Sequence, residues 1–497
     1  MNRTLAVFVV VYLLAILVVS WFASRRVRNE EDYVVAGRRL PLWLAWGTLL
    51  ATWFGAATMM GAAEAARYEG LRGTLLDPFA AGLALIAAGL LFARPLWEMK
   101  LLTIGDYYGR RFGSRAEVAA SVILVPGYFG WIGAQYVALG GLMHTFFGVP
   151  MPVGIAGGAL VVGVYTLLGG MWSVTLTDTL QLGVLLVGLL VLVGSVISQL
   201  GDGSWVTGCA TLWRETDPEM LSMMPEATAV GVIGWLAVWG NGIFGNLPGQ
   251  DLTQRIFASR DAITAVRACV LAGVVYLAFG MIPVALGLAS RLLLPVGAGE
   301  SADIMAVLAQ QFLSPAMTVV FVISLLSIII STATSAVLSP ATLLAHNLLG
   351  RWPRFAAHKL WTERFCVVLM IACGLAMAFS GDSIMGLLEA SLVTIFAALF
   401  VPLLLGVYGP PCGPSPALHA MGWGIGMWLF RSLLEAWWLP LPEAASAEYS
   451  DYLAGRWAPL WIIGAVPAEI AGVLASFAGY GYGLWNERRT TTRNGSG

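Results

Sequence analysis

Five hydroxyls crowd one apolar stretch of this 497-residue chain: Ser327, Ser331, Thr332, Thr334 and Ser335, within "SLLSIIISTATSAVLSPATLLAHN". A hard cation takes oxygen ligands. Ser331 and Thr332 can supply two, with the carbonyl of Ile328 one helical turn back. The same residues have a plainer use, since a helical serine or threonine bonds the carbonyl four residues before it. Four carboxylates, Glu64, Asp178, Glu389 and Glu469, also fall in apolar runs, where charge is expensive and each is a functional candidate by default. Glu389 stands mid-run in "MGLLEASLV". Asp178 stands near the inner end of its run, within reach of local N–H groups or a hydroxyl. Glu64 and Glu469 are close enough to run ends to find water. Nothing indicates an enzyme: there is no phosphate-cradling glycine loop before Lys-Ser/Thr, no nucleophile elbow and no HExxH. The four histidines are scattered, and the five cysteines show neither metal-ligand spacing nor a disulfide framework.

The elements that position these groups are helices in lipid. Hydrophobic residues make up 58% of the chain and charged residues only 11%, with a mean hydropathy of +0.80. No soluble chain of this length could hide that much apolar surface. The expected class is an all-α, multi-pass integral membrane protein of the bacterial inner (plasma) membrane, with the lipid bilayer as its solvent. A net charge of −1 gives no hint of nucleic acid, and nothing sets an oligomeric state. Thirteen runs are long enough to cross: 4–23, 41–66, 74–97, 116–147, 152–171, 174–200, 229–247, 262–290, 316–345, 362–380, 384–408, 415–438 and 459–484. The first, Leu5 to Phe22, is followed by Arg25, Arg26 and Arg28 rather than a small-residue cleavage site, and reads as a retained span. With the N-terminus out and the C-terminus in, 20 of the 27 lysines and arginines face inward, as the positive-inside rule requires. Segments 201–228 and 439–458 are then the main outer loops.

Two of these runs are interrupted. The second carries Gly55-Ala56-Ala57 at its middle. The seventh, "WLAVWGNGIFGNLPGQ" (235–250), carries four glycines, two asparagines and Pro248. Interrupted spans at matching places in two halves point to an inverted-repeat transporter, because unwound backbone at mid-membrane is costly unless an ion or solute occupies it. Alternatively, glycine simply lets neighbouring helices pack closely.

Four motifs, in order, resemble the sodium:solute symporter family. "DYVVAGRRLPLW" is similar to the family's approach to its first core helix. "YTLLGGMWSVTLTDTLQ" matches a Y-x-x-x-G-G-x-x-x-V-x-x-T-D-x-x-Q run through Tyr165, Gly169, Gly170, Val174, Thr177, Asp178 and Gln181. "LPGQDLTQRIFA" matches P-x-Q-x-x-x-Q-R-x-x-A through Pro248, Gln250, Gln254, Arg255 and Ala258. "STATSAVLS" resembles its S-T/S-A-x-S motif. The resemblance covers roughly residues 32–408. It implies a LeuT-type bundle: an extra helix and inner loop (1–30), a first repeat (31–200), an outer loop (201–228), a second repeat (229–408), then two helices and a short inner tail (409–497). It also implies a sodium site made by the carbonyls of Ala51, Phe54 and Ile328 with the hydroxyls of Ser331 and Thr332, and places Asp178 on the ion's path.

Within the family, "ATWFGAATMMGAAEAARY" and "WIGAQYVALG" resemble high-affinity choline transporters, where tryptophans at the positions of Trp53 and Trp131 wrap a quaternary ammonium; aromatic faces attract such a cation. Two departures stand out. Gly249 replaces an expected aromatic and Ala81 an expected tyrosine. Asp77, Glu389, Trp235 and Trp239 either compensate or mark a larger substrate. The expected function is sodium-coupled symport of a small polar organic solute, cationic or zwitterionic, with the substrate at Trp53, Trp131, Trp239, Gly249 and Glu389. Proton coupling through Glu389, or a transporter-like sensor acting through a separate partner, are the alternatives.

Overall fold

A computed structural model describes residues 3–494 apart from 26, 28, 296–302, 381–382 and 438–465. The expected outer loop 439–458 lies outside the described residues. The rest is helical. Among the described residues, eight helices are long and apolar enough to cross a membrane, and Met151–Leu167 and Ala229–Phe244 are shorter apolar ones. The opening helix, Arg3–Ser24, shows why lipid is the solvent: Val7, Phe8, Val10, Val11 and Leu14 are exposed on one face while Leu5, Val9 and Ile16 are buried on the other. An apolar stripe of that size is stable only against hydrocarbon.

Both expected interruptions are present. The first interrupted crossing is helical over Leu42–Trp53 and leaves the helix at Phe54 (φ −77°, ψ 63°). It widens into a looser turn over Ala57–Gly61 and resumes as Ala62–Glu69. Ala229–Phe244 ends at Gly245, and a new helix, Gln250–Ala258, starts after Gly249. Pro248 has no N–H to continue the ladder. The runs 152–171 and 174–200 join at a sharp kink: Gly170 sits at φ 56°, ψ −171° inside Met151–Leu200. A Cβ there would stand 2.5 Å from Tyr33 Cδ2, so the glycine is required both by its backbone and by the ring against it. The segment 201–228 is more than a loop. It contains the helix Trp205–Glu215, N-capped by the Ser204 hydroxyl.

The helix Pro315–Leu343 is the centre of the bundle, buried at every residue from Ser324 to Leu343. A helix enclosed all round has no lipid face to spare, so its hydroxyls must find partners inside the protein.

At the end of the bundle carrying Glu30, charges tie four segments together. The Glu30 carboxylate meets His346 at 2.8 Å and also pairs with Lys359. His346 reaches Asp106 at 3.2 Å, and Arg351 reaches Glu117 at 2.7 Å. The hydrogen bond from His346, with Lys359 adding to it, holds the Glu30 carboxyl at about 2, against 4.5 ordinarily, although burial opposes the shift. A depressed carboxyl stabilises the fold above its ordinary value and loses that contribution as pH falls from 4.5 toward 2. Glu30→Gln should therefore cost about 1–3 kcal/mol at neutral pH and flatten the acid limb of thermal stability in that window. An acid limb identical to wild type would show that the network does not hold this end.

Candidate functional site

Of the hydroxyls in the central helix, Thr334 and Ser339 take the plain option, donating to the carbonyls of Ile330 (2.8 Å) and Ser335 (2.9 Å). Ser331 and Thr332 do not. Thr332 Oγ1 reaches across to the carbonyl of Ala51, in the last turn before the first break, at 3.0 Å. Ser331 Oγ donates to Asp178 Oδ1, while Thr48 Oγ1 donates to Asp178 Oδ2 at 2.6 Å. All of these groups are buried. The break itself lies hard against the central helix, since a Cβ on Gly55 would stand 2.6 Å from Thr332 Cγ2 and 2.8 Å from its Oγ1. Ile328, one turn before Thr332, is also buried. Of the five residues expected to hold sodium, Ala51 and Thr332 meet directly, Phe54 and Ile328 flank them, and Ser331 turns its hydroxyl to Asp178.

Beside the break lies a cavity of about 50 Å³, walled by Trp53, Trp131, Gly249, Ala81 and Asp77 among others. Asp77 accepts from Tyr276 (3.0 and 2.9 Å) and Thr58 (3.2 Å). Asp251 accepts from Trp53 Nε1 (2.6 Å) and the Tyr128 hydroxyl (2.6 Å). Gln135 also lines the cavity, and its Oε1 accepts the N–H of Ala56 at 3.1 Å, satisfying a donor that the break sets free. The ion side and the cavity are linked through buried polar groups. Thr52 bonds Ser335 (3.3 Å), Ser335 accepts from Arg255 Nη2 (2.5 Å), and Arg255 Nη1 bonds the Asp251 carbonyl (3.1 Å).

Two expected substrate residues lie elsewhere. The cavity face of the helix Ile384–Tyr408 is Leu388, Ser391, Leu392 and Ile395, the three-to-four spacing of one helical stripe. Glu389 points off that stripe into a vestibule of about 400 Å³ shared with Glu64 and Glu69. It also sits near its helix start rather than mid-span. Trp239 is six residues ahead of Gly245, where the second crossing opens. It packs edge-on against Trp235 at 5.9 Å and does not line the cavity; nor does Trp235. Leu76 lines both cavity and vestibule and so separates them. Asp251, Tyr128 and Gln135 are the site residues that sequence reasoning missed. Asp251 had a visible signal, a carboxylate two residues after the Pro-Gly interruption in "LPGQDLTQR".

The sodium:solute symporter family model matches residues 33–424. The human high affinity choline transporter 1 is 27% identical over 424 residues, covering 80% of this chain and 71% of its own length. The sodium/pantothenate symporter of Haemophilus influenzae is 24% identical over 447 residues, 87% of this chain and 91% of that one. Among solved structures, a Na+-coupled sialic acid symporter in a substrate-bound outward-open state superposes with a TM-score of 0.71 at 19% identity, covering 97% of this chain and 98% of the other. That likeness shows the LeuT-type fold. A helical multi-pass bundle, interrupted where the family's motifs lie and matched by its model over most of its length, belongs to the sodium:solute symporter family.

Proposed function

We propose that this protein is a sodium-coupled symporter for a small organic cation or zwitterion. The observation that carries the reading is the meeting of the Thr332 hydroxyl with the Ala51 carbonyl at the break, at 3.0 Å. Two oxygens from separate elements are brought together where the backbone has been opened, and a cation can replace the hydrogen bond between them. The sodium ligands are the carbonyls of Ala51, Phe54 and Ile328 and the hydroxyls of Ser331 and Thr332. Asp178 stands behind Ser331 and supplies negative charge in a region of low dielectric. Family membership supports the coupling. The relatives' names include choline, pantothenate and sialic acid transporters, so kinship alone leaves the solute open. The aromatic faces of Trp53 and Trp131 favour a cation.

On this reading the chain crosses thirteen times with its N-terminus out, and 31–200 and 229–408 are the repeats. The Glu64 end then opens outside and the Glu30 end inside, in a plasma membrane that maintains a sodium gradient. Sodium binds first and orders the interrupted crossing, so that the solute meets a formed cavity. Rocking of the repeats then exposes it to the other side. Reconstituted vesicles should accumulate solute only with an inward sodium gradient. Equal uptake in potassium would overturn the proposal. Asp178→Asn keeps the shape but removes the charge, and should weaken sodium affinity roughly ten-fold or more. Sodium titration of thermal stability measures this, and a wild-type midpoint would remove Asp178 from the ion's surroundings.

A further inference from the structure

The expected aromatic at position 249 is absent for a reason visible in the cavity wall. A Cβ on Gly249 would stand 2.8 Å from Asp251 Oδ1 and 2.9 Å from the Asn246 carbonyl. The Asp251 carboxylate folds over the glycine and occupies the place a ring would take. Its oxygens are oriented by their partners. The Tyr128 oxygen receives the N–H groups of Gln250 (2.6 Å) and Asp251 (3.2 Å), so its own hydrogen points to Asp251 Oδ1. Trp53 Nε1 can only donate. Both oxygens of Asp251 therefore act as acceptors, as an ionised carboxylate's do. The buried Arg255 attracts this carboxylate through space, as it does Asp178, but makes no salt bridge to it. Neither Asp251 nor Asp77 is in an ion pair among the described residues, and Arg255 bonds the Asp251 carbonyl rather than its carboxylate. Both residues are buried, at 6% and 4% exposure.

An independent observation comes from Gln135. Its Oε1 is committed to Ala56, which fixes the amide orientation, and its Nε2 is buried with no partner. A buried unpartnered donor is costly, and this one lies in the cavity wall. The pocket thus offers carboxyl oxygens as acceptors and a free donor in about 50 Å³, which suits a compact head group with N–H bonds and a nearby oxygen acceptor.

Resting on the symport reading above, we propose that Asp251 makes this cavity selective for an organic cation that carries N–H bonds, a primary to tertiary ammonium or an amidinium, over a fully methylated ammonium. Trp53, tethered edge-on through its Nε1, becomes a wall that also orients the carboxylate. A quaternary ammonium offers Asp251 no donor, and its methyl groups hold the positive centre away from the oxygens.

The test is a series of probes that differ only in methylation: ethanolamine, N-methylethanolamine, N,N-dimethylethanolamine and choline. Binding is read as thermal stabilisation of the purified full-length protein in sodium. Affinity should fall roughly ten- to a hundred-fold at the final step, where the last N–H is lost, and Asp251→Asn should flatten that step. Choline binding as tightly as the dimethyl compound would overturn the proposal. So would failure of all four to bind, or an unaltered step in a folded Asp251→Asn protein. Should that variant not fold, the wild-type series still decides. A methylation step that persists without sodium would leave this recognition standing and remove the coupling instead.

Discussion

Thr332→Ala should abolish sodium-dependent uptake while leaving the bundle folded. The hydroxyl is buried at 0% exposure and is the direct link between the central helix and the last turn before the first break. Its removal leaves the Ala51 carbonyl without that donor, a cost of about 1–3 kcal/mol. The lost methyl group adds roughly 1 kcal/mol. Losses of that size destabilise locally without unfolding a central helix buried along its whole inner length. The functional loss is larger, because one of the five proposed ion ligands has gone and the others sit on elements that no longer converge. Sodium affinity should fall by about a hundred-fold, read as a shifted midpoint in thermal titrations and as flat uptake against sodium in vesicles. Thr332→Ser retains the hydroxyl and should restore most of both. An alanine variant with wild-type sodium dependence would mean that the ion binds elsewhere.

Gly55→Val is expected to do comparable damage by steric means alone. The new Cβ would lie 2.6 Å from Thr332 Cγ2, 2.8 Å from its Oγ1 and 3.0 Å from Gln135 Oε1. Thr332 is β-branched on a packed helix and has little freedom at χ1, so it cannot swing clear. The break must instead withdraw from the central helix, at an overpacking cost of about 1–3 kcal/mol. That withdrawal parts Ala51 from Thr332 and pulls Ala56 from Gln135, disturbing the ion side and the cavity wall together. Uptake and sodium-induced stabilisation should both disappear, whereas Thr332→Ala leaves the wall intact and retains weak sodium-independent solute binding. A valine variant that transports normally would show that the break is not seated as described.

The interruptions were legible because glycine and proline act locally. Gly55 and the glycines around Pro248 make a regular helix easier to open at those places, and the chain opens at both. Gly170 was quoted within a motif, but the ring of Tyr33 that packs against the kink, well over a hundred residues earlier, is a tertiary contact. Ser331 and Thr332 were legible as an unusual pair of hydroxyls in an apolar helix. That one would face Asp178 and the other Ala51 was not, since adjacent residues on a helix point about 100° apart and only the packing says what lies in each direction.

Glu389 and Trp239 lie off the cavity for the same reason. A carboxylate or an indole in an apolar run reads as buried function, yet a rotation of one residue on the helix turns it away from the cavity, in the case of Glu389 into the vestibule. Asp251 was hidden by the opposite error, standing among motif residues that drew attention away from it. The sequence by itself determined that this chain lives in lipid, crosses as helices and opens two of them, because hydropathy and backbone stiffness are properties of single segments. Which oxygens face one another across the opening, and that a carboxylate fills the place of a missing ring, only the tertiary structure decided. Those are distances between segments, and no local property of either segment sets them.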